Sequence, residues 1–375
     1  MRVFATIVAT MLVAGGWGGL NVAAAEAGTL VGVNVVNPDR LNDQAQDELI
    51  THLKAAHVTT VRVALSNDRS IRFIEQAYQQ GIGTDAIISP ASGTKNIPVE
   101  PKDPAAGYLW ARSKFSGIDP EQFDQWFAAQ LGTLEAAGIH LTALEFGNEI
   151  NSPDYDGDFL PTVPKQKARV LGLKDLNNPN DAEAVQITTG YKVYLKALAK
   201  LRDTRNHSKL NASTPILSAG MADPGAPGPR PKSTKDWIGL SETIWYLRQN
   251  GLDNLVDAYA VHQYPAADPT ITLAARISKL QSDVMAACTK QKPCWVTEWG
   301  FFDPKQTTCP IKEDALSKLV TTQRAAYRYF ADQGRISAIL LFSWSGDPWA
   351  KGVIVGNAFE CGSLTHEGSL ALAPM

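Results

Sequence analysis

Leu141-Thr142-Ala143-Leu144-Glu145-Phe146-Gly147-Asn148-Glu149-Ile150-Asn151 decides how this chain is to be read. A segment of helical period, 120–137, and a Gly138 turn precede it, and its apolar run is short, as in a strand buried on both faces. Glu145 sits inside that run and Glu149 at its end. Their even spacing points both carboxylates to one side of the sheet, and to the interior if the sheet closes into a barrel. A buried, unpaired carboxylate is costly, so packing alone does not account for them.

Outward from this stretch the same unit repeats. Strand candidates fall at 30–36, 59–65, 83–88, 141–147, 215–219, 256–261, 294–297 and 336–342. Helical segments lie between them at 44–56, 70–80, 120–137, 182–202, 241–249, 272–287 and 312–333. Short β runs alternating with longer helices predict a parallel sheet with crossover helices. Eight units predict an α/β fold, the (β/α)8 TIM barrel, with the eighth helix short or missing. Helix-to-strand links are tight turns at Gly81, Gly138 and Gly334. Strand-to-helix links are long, at 89–119, 150–180, 221–240 and 300–311, and all would emerge at the C-terminal face, where such barrels build their sites.

The seventh strand reads Cys294-Trp295-Val296-Thr297-Glu298-Trp299-Gly300. It places another carboxylate at a strand end, opposite Glu149 across the mouth. An Asn-Glu pair ending strand four, with Thr-Glu-Trp-Gly ending strand seven, resembles glycoside hydrolase clan A, the retaining (β/α)8 glycosidases, over essentially the whole mature chain. The strings are similar to both the cellulase-like fifth family and the xylosidase-like thirty-ninth. Where many clan families carry Pro after the acid/base Glu, this chain has Ile150.

The resemblance implies Glu149 as acid/base, Glu298 as nucleophile and Asn148 on the sugar 2-hydroxyl. It further implies Arg62 in Thr60-Val61-Arg62-Val63, His262 and Tyr264 in His262-Gln263-Tyr264, Trp299, and Trp344 after strand eight as substrate-site residues. The Tyr would hydrogen-bond the nucleophile and the Trp344 ring would floor the sugar subsite. From spacing alone, which Glu is the acid stays open. Chemistry asks for one protonated and one ionised carboxyl group, with Arg62 able to hold Glu298 ionised and Glu145 pairing with Arg62 as a structural partner. Trp110, Tyr155, Trp237, Phe301 and Trp349 lie on long loops and suit either sugar stacking or loop packing.

The 375 residues carry 35 Lys plus Arg against 38 Asp plus Glu, a net charge of −3 that leaves no basic excess for nucleic acid or an anionic membrane. Residues 1–25 have the charged start, apolar stretch and Ala23-Ala24-Ala25 end of a signal peptide, predicting a secreted or periplasmic monomer with one domain, 26–375. Export makes disulfides the expected state of Cys288, Cys294, Cys309 and Cys361, paired as 288–294 and 309–361 by sequence neighbourhood. No cofactor and no metal are expected. The six histidines, His52, His57, His140, His207, His262 and His366, are scattered rather than clustered for a metal-dependent hydrolase. Asp154-Tyr155-Asp156-Gly157-Asp158 lacks the Gly and terminal Glu positions of a calcium loop and reads as a solvated turn. Asn206 and Asn211 begin glycosylation sequons. A secreted retaining glycosidase cleaving a β-linked oligo- or polysaccharide is the reading. An inactive carbohydrate-binding barrel is the alternative, disfavoured because both carboxylates are present, and a transglycosylase would share the whole set.

Overall fold

The computed structural model describes residues 28–104, 107–160, 168–230, 235–301, 314–345, 358–360 and 362–375. The leader segment, Cys309, Cys361 and Trp349 lie outside them. Eight parallel strands form the barrel: β1 (Leu30–Asn34), β2 (Thr60–Ala64), β3 (Gly83–Ile88), β4 (Ala143–Phe146), β5 (Ile216–Leu217), β6 (Tyr259–Gln263), β7 (Cys294–Trp299) and β8 (Ile336–Leu341). Each pairs with its chain neighbour, β8 returns to β1, and the seam between β5 and β6 is closed by the bridges Leu217 to Ala258 and Met221 to Val261.

Around the barrel run α1 (Asp43–Ala55), α2 (Asp68–Gln79), α3 (Pro120–Ala136), α4 (Ala182–Asn206), α5 (Leu240–Gln249), α6 (Leu273–Asp283), α7 (Asp314–Ala331) and α8 (His366–Leu372). Side-chain caps start several of them: Asn42, Asn67, Asp119 and Asp181 each accept from the first-turn amides, and Pro120 occupies the first helical position, where no N–H is needed. Gly138, at φ 76°, turns the chain from α3 towards β4 in a conformation that residues with a Cβ resist. The eighth helix is present but short, a single piece of seven residues.

Two cores result. Inside the barrel Trp295 fills the space left by Ala143, Ala258, Ala260 and Ala338, with Leu217 and Leu340 beside it. Small residues opposite one large ring let the interior close without a void. Between sheet and helices lies the larger core, in which Phe123, Phe127, Phe146 and Tyr194 stack or meet edge-on. No helix among the described residues is long and apolar enough to cross a membrane.

The sixth strand begins later than the spacing predicts, at Tyr259 rather than 256, because Leu252–Asn254 form a 3-10 turn and Asp257 caps the start of β5 through the Ile216 amide at 2.9 Å. His262 therefore lies within β6, not after it. Above the barrel, 168–171, 228–230 and 237–238 make a small sheet from the loops after β4 and β5. Buried Asn151 ties these loops together, donating to Ala222 O at 2.8 Å and Ile238 O at 2.9 Å and accepting from the Ala222 amide.

Cys288 and Cys294 form a disulfide, with Cα atoms 5.4 Å apart, where sequence neighbourhood placed it. It closes a short loop before β7, so loop-closure entropy assigns it about 2 kcal/mol. Replacing both with Ser should lower the unfolding free energy in urea by about that amount. A change indistinguishable from zero would show that the loop is held by packing alone. Asn211 is fully buried, its amide donating to Ile139 O at 3.1 Å, so this sequon is closed to modification in the folded protein.

Candidate active site

Arg62, on β2, is the centre of the barrel mouth. It is 2% exposed, and its five N–H groups each find an acceptor. Nε and Nη2 grip the Glu145 carboxylate at 2.8 and 2.7 Å, Nη2 also reaches Asn148 Oδ1 at 2.8 Å, and Nη1 reaches Asn34 Oδ1 at 2.8 Å and Glu298 Oε1 at 2.6 Å. Burial opposes its charge, but Glu145, Glu298 and Asp85 more than offset that, so it stays a cation. Glu145 thus takes the structural place expected for it, as Arg62's bidentate partner.

Glu298 reaches the mouth through a bulge. Val261 pairs with Val296 and His262 with Glu298, while on the other side Val296 pairs with Ile339 and Trp299 with Leu341, so β7 carries one extra residue against both neighbours. Thr297 and Glu298 in consequence both face inward: Thr297 Oγ1 lies 3.4 Å from Glu145 Oε1. Alternation along the strand would have sent one of them out.

Glu149 also owes its direction to an irregularity. β4 ends at Phe146, Gly147 follows at φ 101°, and Glu149 itself sits at φ 42°, its amide donating to Gly220 O at 2.6 Å. A non-glycine residue in this left-handed region is strained and is held by its surroundings. Even spacing therefore describes Glu145 correctly, whereas Glu149 points inward because the loop turns it. Gly220 permits the closure, since a Cβ there would meet His262 Nε2 at 2.2 Å and Glu145 Oε1 at 2.6 Å.

The two carboxyl groups are joined by His262. Its Nδ1 lies 2.9 Å from Glu149 Oε1 and 3.4 Å from Glu298 Oε2, and Tyr264 OH donates to Glu298 Oε2 at 2.5 Å. Oxygens of Glu149 and Glu298 come within 4.8 Å of each other. Their electrostatics diverge. For Glu298, burial opposes ionisation, yet His262, Arg62 and the hydrogen bonds from Tyr264 and Arg62 outweigh it and hold the carboxyl below the usual range. For Glu149, burial raises the carboxyl and the nearby negative charge of Glu298 and Asp154 adds to it, more than the His262 contact takes away. The two carboxyl groups at one mouth are thus pushed in opposite directions.

Glu149, His262 and Glu298 are also the group among the described residues whose ligand atoms lie within reach of one ion. Arg62 already compensates Glu298 through Oε1 at 2.6 Å and Tyr264 donates to Oε2, so the donor set suits an Arg-compensated carboxylate better than a metal.

Asn34 and Asp85 belong to the site although no motif marks them. Asn34 accepts from Arg62 and donates to Thr297 O at 2.8 Å and Leu341 O at 3.2 Å, locking the guanidinium to β7 and β8. Asp85 is fully buried, and no described donor reaches either of its oxygens. Burial, then the negative charge of Glu145, pushes its carboxyl well up against the opposing pull of Arg62. Asp85→Asn, which keeps a donor, should change unfolding free energy by less than about 1 kcal/mol. Glu145→Gln, which takes the bidentate carboxylate from buried Arg62 and leaves it only Glu298, should cost about 3–5 kcal/mol. Equal losses in urea titrations of the two variants would contradict the raised carboxyl of Asp85.

Several expected contacts are placed elsewhere. Trp299, opposite the bulge, turns outward, is fully buried and meets Tyr327 of α7 edge-on at 5.5 Å, so it is core and not substrate floor. Trp344 is 2% exposed, its ring stacked on Phe359 at 5.1 Å, which leaves no open face for a sugar. Phe301 packs beneath Arg276 at 5.6 Å. Asp156 and Asp158 are buried rather than solvated. Asp158 accepts from Ser116 N and Oγ at 2.7 and 2.6 Å, and Asp156 accepts from the Asp158 amide at 2.8 Å, so the turn staples the loop after β4 to 115–117.

A closed (β/α)8 barrel with two carboxyl groups of opposite tendency at its C-terminal mouth is the class that fold and site define. Among solved structures the chain is similar to a fungal β-1,4-galactanase, at 14% identity and a TM-score of 0.56 over 92% of this chain and 99% of that one. It is also similar to the catalytic domain of β-amylase from Paenibacillus polymyxa, at 11% identity and a TM-score of 0.52 over 92% and 97%. The virulence factor SghA, solved with the substrate analogue salicin, aligns at 10% identity and a TM-score of 0.50 over 92% and 94%. No family model and no curated protein matches the sequence. The resemblance to the (β/α)8 glycosidases therefore holds at the level of the fold.

Proposed function

We propose that this protein is an exported retaining glycosidase that cleaves a β-linked oligo- or polysaccharide by double displacement. The observation that carries the reading is the pair Glu149 and Glu298, with oxygens within 4.8 Å and ionisation tendencies driven apart. Retaining enzymes hold their carboxyl groups about 5–5.5 Å apart, whereas inverting ones need about 6.5–9.5 Å to seat a water. Glu298, ionised by Arg62 and Tyr264, attacks the anomeric carbon while Glu149, protonated, gives its proton to the departing glycosidic oxygen. The enzyme-bound ester is then hydrolysed by a water that Glu149, now a carboxylate, deprotonates. Asn148, whose Oδ1 is taken by Arg62 Nη2, has its amide N–H groups left for a sugar hydroxyl.

Activity should follow a bell in pH. It rises as Glu298 loses its proton, at a value below the ordinary carboxyl range, and falls as Glu149 loses its own, at a value above it. A panel of aryl β-glycosides and β-glucans, β-galactans and β-mannans, with proton NMR of the earliest product, tests the proposal. A first-formed sugar of opposite anomeric configuration to the substrate refutes double displacement. Turnover of none of the panel refutes the glycosidase. Export, which rests on the leader sequence, is tested by Edman sequencing of protein recovered outside the cytoplasm, expected to begin at Glu26; a retained Met1 overturns it.

A further inference from the structure

Beside the catalytic pair, between β3 and the loops after β3 and β4, lies a cavity of about 270 Å3, bordered by Ser89, Trp110, Arg112, Ser113, Asn148 and Tyr155. We propose that it is a second sugar subsite, taking one neutral pyranose-type unit linked to the unit held between Glu149 and Glu298. It rests on the glycosidase reading and adds to it where the chain's second unit sits and which side chains hold it.

Continuity is the first reason. Asn148 borders the cavity and also bonds Arg62 at 2.8 Å, so a ligand leaving the catalytic mouth on this side enters the cavity directly. Tyr155 borders the cavity too, and the negative charge of Glu149 and Glu298 reaches its phenol, which burial pushes well up.

Trp110 is the second. Large aromatic side chains are normally covered, yet this one is 44% exposed. It is nevertheless fixed: Nε1 donates to Asp154 O at 2.6 Å, its ring lies 5.5 Å from that of Tyr155, and Asp154 is in turn paired with Lys235. With its only polar edge engaged, what Trp110 presents is an immobile apolar surface. The apolar face of a pyranose ring matches such a platform.

Arg112 is the third. It is 7% exposed, its Nη groups bond Pro153 O and Pro101 O at 3.2 Å each, and its guanidinium lies 3.5 Å from the centre of the Tyr108 ring. With its guanidinium held by these two carbonyls and the Tyr108 ring, Arg112 gives the cavity a fixed wall with no free charge for an acid group, so a neutral ligand suits it better. The volume, about 270 Å3, falls just below the roughly 300–1,000 Å3 of small-molecule pockets, room for no more than a single unit.

The test is calorimetric titration of Glu298→Ala protein, which cannot consume its ligand, with β-1,4-gluco-, β-1,3-gluco- and β-1,4-galacto-oligosaccharides of increasing length. In one series the dissociation constant should tighten by about tenfold between two consecutive lengths, where the chain first reaches the second subsite. Adding Trp110→Ala should abolish that step, and Trp110→Phe should keep most of it. The same step in the Trp110→Ala protein, or binding of no oligosaccharide at all, overturns the subsite. If the wild-type enzyme turns over no glycoside but the Trp110-dependent step remains, the glycosidase reading fails while the subsite stands.

Discussion

Glu298→Ala protein is expected to lose turnover by on the order of ten-thousand-fold or more, the scale seen when a covalent nucleophile is removed. Added azide should restore product, because a small anion fits the volume vacated by the carboxylate and attacks the anomeric carbon in its place. That product carries inverted configuration, since one displacement has replaced two. Folding should survive the change: Arg62 keeps Glu145 and Asn34, and a guanidinium with one carboxylate gone is still half-compensated. Anomeric configuration read by NMR separates this outcome from a merely damaged site. Near-normal activity, or azide product of retained configuration, would end the assignment of Glu298.

Glu149→Ala should behave differently, and the contrast is the stronger evidence. General-acid assistance is worth about 10²–10⁴-fold, so natural substrates with poor leaving groups should slow by that factor. Aryl glycosides with acidic phenols need no proton and should form the glycosyl-enzyme at near wild-type rate, then stall, because the base that activates water is also gone. Azide rescues this second step, giving a product of retained configuration. The alkaline limb of the pH profile should vanish, since it reports the raised carboxyl of Glu149, while the acid limb set by Glu298 persists. A Glu149→Ala profile with its alkaline limb intact would assign that limb to another group.

Much of this was legible in the sequence, for one reason. A charged residue inside an apolar strand has no packing explanation, and that rule marks Glu145, Arg62 and Glu298 at once. Applied with equal force it marks Asn34 and Asp85, which stand in β1 and β3 among Val, Ala and Ile: Asn34 proves to hold the guanidinium, and Asp85 is buried with its carboxyl pushed well up. Strand and helix alternation, the tight turns at Gly81, Gly138 and Gly334, the truncated last helix and the Cys288–Cys294 bridge are local or composition-driven, and the structure has each of them.

Directions were not legible. Side-chain alternation assumes a regular ladder, and at both mouth glutamates the ladder breaks: the extra residue in β7 turns Glu298 in and Trp299 out, and the left-handed backbone at Glu149 replaces the strand that spacing assumes. The burial of Trp344 against Phe359, and of Asp156 and Asp158 against Ser116, depends on segments far apart in the chain meeting in space. So does the opposed ionisation of the two glutamates. By itself the sequence determined which residues are too polar for the core and that the chain closes as a barrel, because those follow from period and composition. Only the tertiary structure drives the two carboxyl groups apart, Glu149 up and Glu298 down, because proton affinity depends on desolvation and on charges brought within a few ångströms by strands β2, β6 and β7.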